Sequence, residues 1–219
     1  MSDVSIIIPA YNEGHYIGLT LQTLLKDSSW FEELIVVDDG STDQTGRLAR
    51  QYTSHVVRLP YNRGKGAAIM TGVERAACSI LLFLDADLGS SASLARFLVP
   101  PVKHDRCDMT IAVLPEAKKG GFGLVKRWAR KGIYFRTGVW LQAPLSGQRA
   151  LRKKELLATY RPDEGFGFEV GLTIDYLKAG LRIEEVFIPF VHRERGKTVS
   201  GFWHRFKQGL AVHQALKGR

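Results

Sequence analysis

Five short runs of aliphatic and β-branched residues, VSIII (4–8), ELIVVD (33–38), HVVRL (55–59), SILLFL (79–84) and DMTIAVL (108–114), alternate with helix-length stretches at 14–27, 43–53, 65–77 and 91–104. Strands so continuously apolar must be covered on both faces, and strand–helix alternation builds a parallel sheet. The expected class is therefore α/β: a mostly parallel, Rossmann-like sheet with helices on both faces. After residue 115 the rhythm changes. A Gly-rich basic segment leads into an amphipathic stretch near 122–141, followed by an expected strand at 146–152, a helix near 166–179, a strand near 182–188 and a last helix at 199–217. No linker, repeat or low-complexity tract breaks the 219 residues, so one domain is expected, residues 116–219 packing onto 1–115.

An apolar content of 45% and a charged content of 24% suit a soluble globular protein. The chain shows no N-terminal basic-then-apolar signal and no apolar run near the ~18 residues that a spanning helix needs, so a cytoplasmic protein is expected. Cys78 and Cys107 lie far apart with no His at metal-ligand spacing, and read as buried small apolar side chains. The net charge of +9 is unevenly spread: segments 116–136 and 192–219 carry +6 each, and the remainder −3. Anionic partners, whether phosphorylated substrates or an anionic membrane face, are expected at those two segments.

In open α/β sheets ligands gather outside the carboxyl ends of the strands. Three polar clusters follow strands here: PAYNE (9–13), DDGSTD (38–43) and DAD (85–87). Asp85 and Asp87, two acids one residue apart at the end of a buried strand, repel each other unless a cation joins them. Mg²⁺ or Mn²⁺ suits that pair, because such an ion takes one or two carboxylates plus substrate diphosphate oxygens. Turn and helix-cap chemistry also accounts for Asp and Ser at such places, so the pair alone is weak evidence. The doubled Asp38-Asp39 exceeds what a turn needs, which leaves one of the two to accept hydrogen bonds from a base, as Glu13 can from a base or ribose. NRGKG (62–66) lets the backbone approach a ligand closely and sets a cation beside it.

In order and spacing, PAYNE, VVDDGSTD, NRGKGAAI and LDADL resemble the family 2 nucleotide-sugar glycosyltransferases of the GT-A fold across residues 4–115. LSGQRALRK (145–153), GFGFEVGLTIDYLKAGLRIEEV (165–186) and HRERGKT (192–198) resemble the acceptor halves of glucosyl-3-phosphoglycerate synthases and, more loosely, of polyprenyl-phosphate sugar synthases. GGFGLVKRWARKGIY (120–134) is similar to the basic acceptor loop of the second group. The resemblance implies that residues 1–115 bind a nucleotide sugar and 116–219 an acceptor. It places Pro9, Tyr11, Glu13 and Asp39 around base and ribose, Lys65 on phosphate or ribose, and Asp85 and Ala86 against the sugar nucleotide. Asp85 and Asp87 would hold the metal, with His192 at or beside a third ligand position. Ser146, Gly147 and Gln148 match the acceptor-facing turn, although Gln148 and Arg149 depart from the residues usual in both groups, so the acceptor stays open. Glu169 sits where these families place an acid near sugar and acceptor: an inverting transfer would use it as base, with Asp163 and Glu164 as alternatives, and a retaining one would use it to orient the sugar. Asp87 joins it as catalytic through the metal, which with Lys65 would offset charge growing on the leaving diphosphate.

Within the basic segments, Lys118, Lys119, Lys126, Arg127, Arg130 and Lys131 flank Phe122 and Trp128, and Arg127 and Arg130 are expected to pair with an acceptor phosphate, soluble or polyprenyl-linked. Val199, Phe202, Trp203, Phe206 and Leu210 recur at helical spacing, which suits a core-facing helix or one resting at the inner face of an anionic membrane. Two rival classes remain. A sugar-phosphate nucleotidyltransferase would want a Gly-rich basic loop after the first strand, where PAYNE is acidic. A nucleic-acid-binding domain without catalysis would leave Asp39, Asp85 and Asp87 unexplained, so no nucleic-acid partner is expected.

Overall fold

Each of the five apolar runs becomes a strand. The computed structural model describes residues 3–115, 123–161 and 167–190. Among them, strands β1 (Val4–Ala10), β2 (Glu33–Asp38), β3 (Val56–Arg58), β4 (Ile80–Phe83), β5 (Met109–Val113), β6 (Arg149–Arg152) and β7 (Ile183–Phe187) form one sheet in the order β3-β2-β1-β4-β6-β5-β7. Neighbours run parallel except around β6, which is antiparallel to both β4 and β5. The helices are α1 (Ile17–Leu25), α2 (Thr45–Ala49), α3 (Lys65–Arg75), α4 (Val99–Lys103), α5 (Gly123–Thr137), α6 (Lys153–Thr159) and α7 (Phe168–Lys178), with a 3₁₀ helix over Gly89–Leu98.

Successive strand side chains point to opposite faces, so each apolar run feeds two cores. Ile6 and Ile8 of β1 pack with Val36, Leu82 and the α1 residues Ile17, Leu21 and Leu24. Ile7, between them, packs on the other face with Ile35, Val37, Phe83, the α3 residues Ile69 and Val73, and Phe168, Leu172 and Tyr176 of α7. A smaller cluster seats Ala129 and Ile133 of α5 on Val170 and Ile174 of α7. Cys78 and Cys107 are buried free thiols, as their spacing led us to expect.

Several boundaries differ from the sequence reading. The expected helix at 91–104 is split: Pro100 and Pro101 have no N–H to continue the preceding turns, and they sit instead in the first turn of α4, which begins at Val99. The helix expected over 43–53 keeps only Thr45–Ala49, because the Thr53 hydroxyl donates to the Leu34 carbonyl (2.8 Å) and draws the chain back to the sheet. Helix α6 was not anticipated; Lys153 closes β6 on the Ser79 carbonyl (2.8 Å) and Leu156 is buried. The segment 199–217 and residues Lys118, Lys119, Phe122, Asp163, Glu164 and His192 lie outside the described residues.

Candidate active site

The loops after β1 and β2 are bound to each other by short polar side chains. Asn12, at φ +55°, donates its N–H to Ser41 Oγ (3.0 Å) and accepts the Thr42 N–H at Oδ1 (2.9 Å). The N–H groups of Glu13 and Gly14 donate to Thr45 Oγ1 (2.9 Å) and Asp43 Oδ2 (3.0 Å). PAYNE and DDGSTD therefore form one rigid edge, with Pro9 and Glu13 half-buried and Tyr11 exposed on it.

Both acids of the doubled Asp38-Asp39 have protein partners. Asp38 Oδ1 accepts the Ser41 N–H (2.9 Å); its buried Oδ2 takes no hydrogen bond and lies 3.7 Å from Arg58 Nε. Asp39 accepts the N–H of Arg63 at one oxygen (2.8 Å) and of Gly64 at the other (2.9 Å). Burial pushes the Asp39 carboxyl above the usual carboxylate range, against the pull of those two N–H groups. Asp39 thus holds the NRGKG loop in place, and Gly64, at φ +91°, turns that loop into α3. The same carboxylate retains lone pairs for a further donor.

The second cluster is built from side-chain tips. Lys65, the first residue of α3, brings Nζ to 2.7 Å from Asp85 Oδ1 and 2.9 Å from Glu169 Oε1. The Gln148 amide donates to Asp85 Oδ2 (2.6 Å), and Ser146 Oγ donates to Gln148 Oε1 (3.1 Å). Burial alone would lower the Lys65 ammonium, but Asp85 and then Glu169 overcome it and hold the charge well above the ordinary lysine range. From behind, buried Thr20 of α1 fixes the Asp85–Asp87 turn, donating to the Ala86 carbonyl (2.8 Å) and accepting the Gly89 N–H (2.9 Å). Asp87 stands half-buried on that turn. Gly147 is a close-approach glycine: a Cβ there would lie 2.2 Å from Lys65 Nζ and 2.9 Å from Asp85 Oδ1.

This meeting follows from the one reversed strand. Phe83 pairs with Arg149 in the antiparallel β4–β6 register, so the residues entering β6 lie beside those leaving β4. Sequence reasoning named Lys65, Asp85, Gln148 and Glu169 separately; the structure joins them. It does not add Arg127 or Arg130 to that cluster: Arg127 is exposed on α5, and Arg130 Nε donates to the Gln142 carbonyl (3.0 Å).

Arg149 went unrecognised as an organising residue. Its guanidinium is fully buried and donates to the carbonyls of Ser146 (2.8 Å) and Pro144 (2.9 Å) and to Thr173 Oγ1 (2.8 Å). Thr173 in turn donates to the Glu169 carbonyl (2.7 Å), so Arg149 ties the 144–148 turn to the first turn of α7. Desolvation pulls its pKa down to about 10. The available signal was an Arg at the start of a strand, where a buried charge must be satisfied internally.

The site's donor set suits a hard divalent cation. Asp85 already holds an ammonium, Asp87 is two residues away, and both offer carboxylate oxygens. Among the described residues no group of three or more His, Cys, Asp or Glu could hold an ion by itself. The protein supplies two carboxylates there, leaving the remaining positions to substrate oxygens or water.

A mostly parallel sheet of this order, with acids gathered at its carboxyl edge, defines a GT-A type glycosyltransferase. The chain belongs to glycosyl transferase family 2, whose profile matches residues 5–172. It is 32% identical over 212 residues to an undecaprenyl-phosphate mannosyltransferase of Micrococcus luteus, covering 89% of this chain and 86% of that one. An uncharacterized protein of Methanocaldococcus jannaschii is 31% identical over 224 residues, 94% of this chain and 90% of the relative. Among solved structures, glucosyl-3-phosphoglycerate synthase of Mycobacterium tuberculosis with Mn²⁺, uridine diphosphate and phosphoglyceric acid superposes with a TM-score of 0.82 at 26% identity, covering 98% of this chain and 77% of that one. The same synthase is also known with Mg²⁺ and uridine diphosphate. Family membership removes the nucleotidyltransferase and nucleic-acid readings. No described helix is long and apolar enough to cross a membrane.

Proposed function

We propose that the protein transfers a sugar from a nucleoside-diphosphate sugar, in the presence of Mg²⁺ or Mn²⁺, to an acceptor that carries a phosphate. The observation that carries this reading is the junction of Lys65, Asp85, Gln148 and Glu169, where the expected donor half meets the expected acceptor half within hydrogen-bonding distance. The two kinds of similar protein, a polyprenyl-phosphate mannosyltransferase and a phosphoglycerate glucosyltransferase, share a phosphate-bearing acceptor and support that class.

The rigid edge made by the β1 and β2 loops is the seat for base and ribose: Tyr11 offers an open ring, and Pro9, Glu13 and Asp39 line the same edge. Asp85 and Asp87 would hold the cation, which when bound offsets negative charge on the diphosphate. Lys65 adds a second positive charge where the leaving group develops negative charge, in a site partly shielded from water. Gly147 and Gln148 face the acceptor beside that charge, and buried Arg149 fixes the carbonyls of their turn. Glu169 stands between the halves: in an inverting transfer it takes the acceptor's proton, and in a retaining one it orients the sugar.

A thermal-shift screen of UDP and GDP, each with and without Mn²⁺, tests the donor side. Protection by a nucleoside diphosphate that needs the metal is expected, about 2.7 kcal/mol of added stability at a hundredfold excess over Kd. Protection by none would defeat the reading. Transfer from the matching sugar donor to 3-phosphoglycerate or to vesicle-borne polyprenyl phosphate then separates a soluble from a lipid acceptor.

A further inference from the structure

We propose that Lys65 is a stand-in cation: its ammonium neutralises Asp85 and Glu169, so a divalent ion takes Asp85 effectively only when a diphosphate arrives to draw Lys65 away. This rests on the transfer reading above and says how its donor site is loaded.

Both Asp85 oxygens are engaged, Oδ1 by Lys65 Nζ (2.7 Å) and Oδ2 by the Gln148 amide (2.6 Å). A divalent ion must come within about 2.1 Å of a carboxylate oxygen to bind it. Bound to Asp85, it would stand only a few ångströms from the ammonium, and in a partly shielded site the repulsion between two cations so close is several times the thermal energy. The two cations therefore compete for one carboxylate.

Lys65 has a place to go. Glu169 Oε1 lies 2.9 Å from Nζ, and a substrate diphosphate would offer more negative oxygens. Gly147 lets the acceptor turn come close to the ammonium, since a Cβ there would meet Nζ at 2.2 Å. The exchange also reaches the acceptor turn. When the ion displaces the Gln148 amide from Asp85, the other end of that amide, which accepts from Ser146 Oγ (3.1 Å), turns with it. Loading the donor site thus resets the two side chains that flank Gly147.

The experiment measures Mn²⁺ binding by loss of the free-ion electron paramagnetic resonance signal, using the full chain with and without UDP. In the wild type UDP should tighten Mn²⁺ binding about 30-fold, within the usual range of coupling between two sites. Lys65→Met should bind Mn²⁺ alone about tenfold more tightly and gain much less from UDP, whereas Lys65→Arg, which keeps the charge, should retain the coupling. Glu169→Gln removes the fallback partner and should shift the other way, weakening Mn²⁺ alone. Circular dichroism checks that each variant is folded, and the Glu169 variant decides the question if Lys65→Met is not. Unchanged or weaker Mn²⁺ binding in folded Lys65→Met, with UDP coupling intact in the wild type, overturns the stand-in role and spares the transfer reading. Absence of any UDP-dependent Mn²⁺ binding in the wild type overturns both.

Discussion

Asp39 and Asp85 each stand just beyond a buried strand of the same sheet, and each has both carboxylate oxygens bonded; the difference lies in the donors. Those of Asp39 are two backbone N–H groups, Arg63 and Gly64, whose positions the fold sets. Those of Asp85 are the tips of Lys65 and Gln148, which can leave by rotating side-chain bonds. A backbone-bound carboxylate is part of the frame, and removing it disturbs structure. A carboxylate bound by side-chain tips can exchange partners, and changing its surroundings disturbs chemistry first.

The largest effect should fall on the exchangeable cluster. Asp87→Ala is expected to lower turnover roughly a thousandfold, equivalent to about 4 kcal/mol of barrier, with little change in melting temperature. Near-normal turnover with metal present would break the comparison. Gly147→Ala forces a methyl group onto Lys65 Nζ and should cost about a hundredfold in turnover, the scale of an ångström's misplacement in a site, while the protein still melts as one transition.

On the frame side, Asp39→Ala leaves the Arg63 and Gly64 N–H groups without their acceptor and should cost about 2 kcal/mol of stability. That corresponds to a melting temperature lower by about 4–8 °C, measurable calorimetrically, for a chain of this size. Stability unchanged in that variant would return Asp39 to a purely ligand-binding role. The smallest effect is in pH dependence. Burial raises the folded-state pKa of Asp39, so the wild type gives up stability as pH rises from its unfolded value near 4 through the raised folded value. Asp39→Asn, which keeps one acceptor and no charge, lacks that loss. Wild-type melting temperature should therefore fall relative to the variant as the pH rises above about 4.

Much of the frame was legible residue by residue. VSIII, apolar and β-branched, and SILLFL, a short apolar run in a strand–helix alternation, read as buried strands, and the polar clusters after them had to share an edge once the strands ran parallel. The turn residues gave less. Asp38 and Asp39 advertise hydrogen-bond acceptors without saying whether a ligand or the chain itself supplies the donors, and here the chain supplies several of them. Lys153–Thr159 carries no strong cap or periodic signal across its seven residues, so α6 was invisible beside the strand that precedes it.

By itself, the sequence determined the α/β class, the strands at the sheet's centre and the identity of the acids and the lysine that carry the charge, because those depend on short-range periodicity and residue chemistry. Only the tertiary structure decided that Lys65 and Gln148, 20 and 63 residues from Asp85, close on its two oxygens. It also decided that Arg149 is buried beneath them. The physical reason is the direction of one strand. With β6 reversed against β4, the residues that enter it meet the residues that leave its neighbour, and an antiparallel register set over such a distance in the chain leaves no periodic trace in the amino-acid sequence.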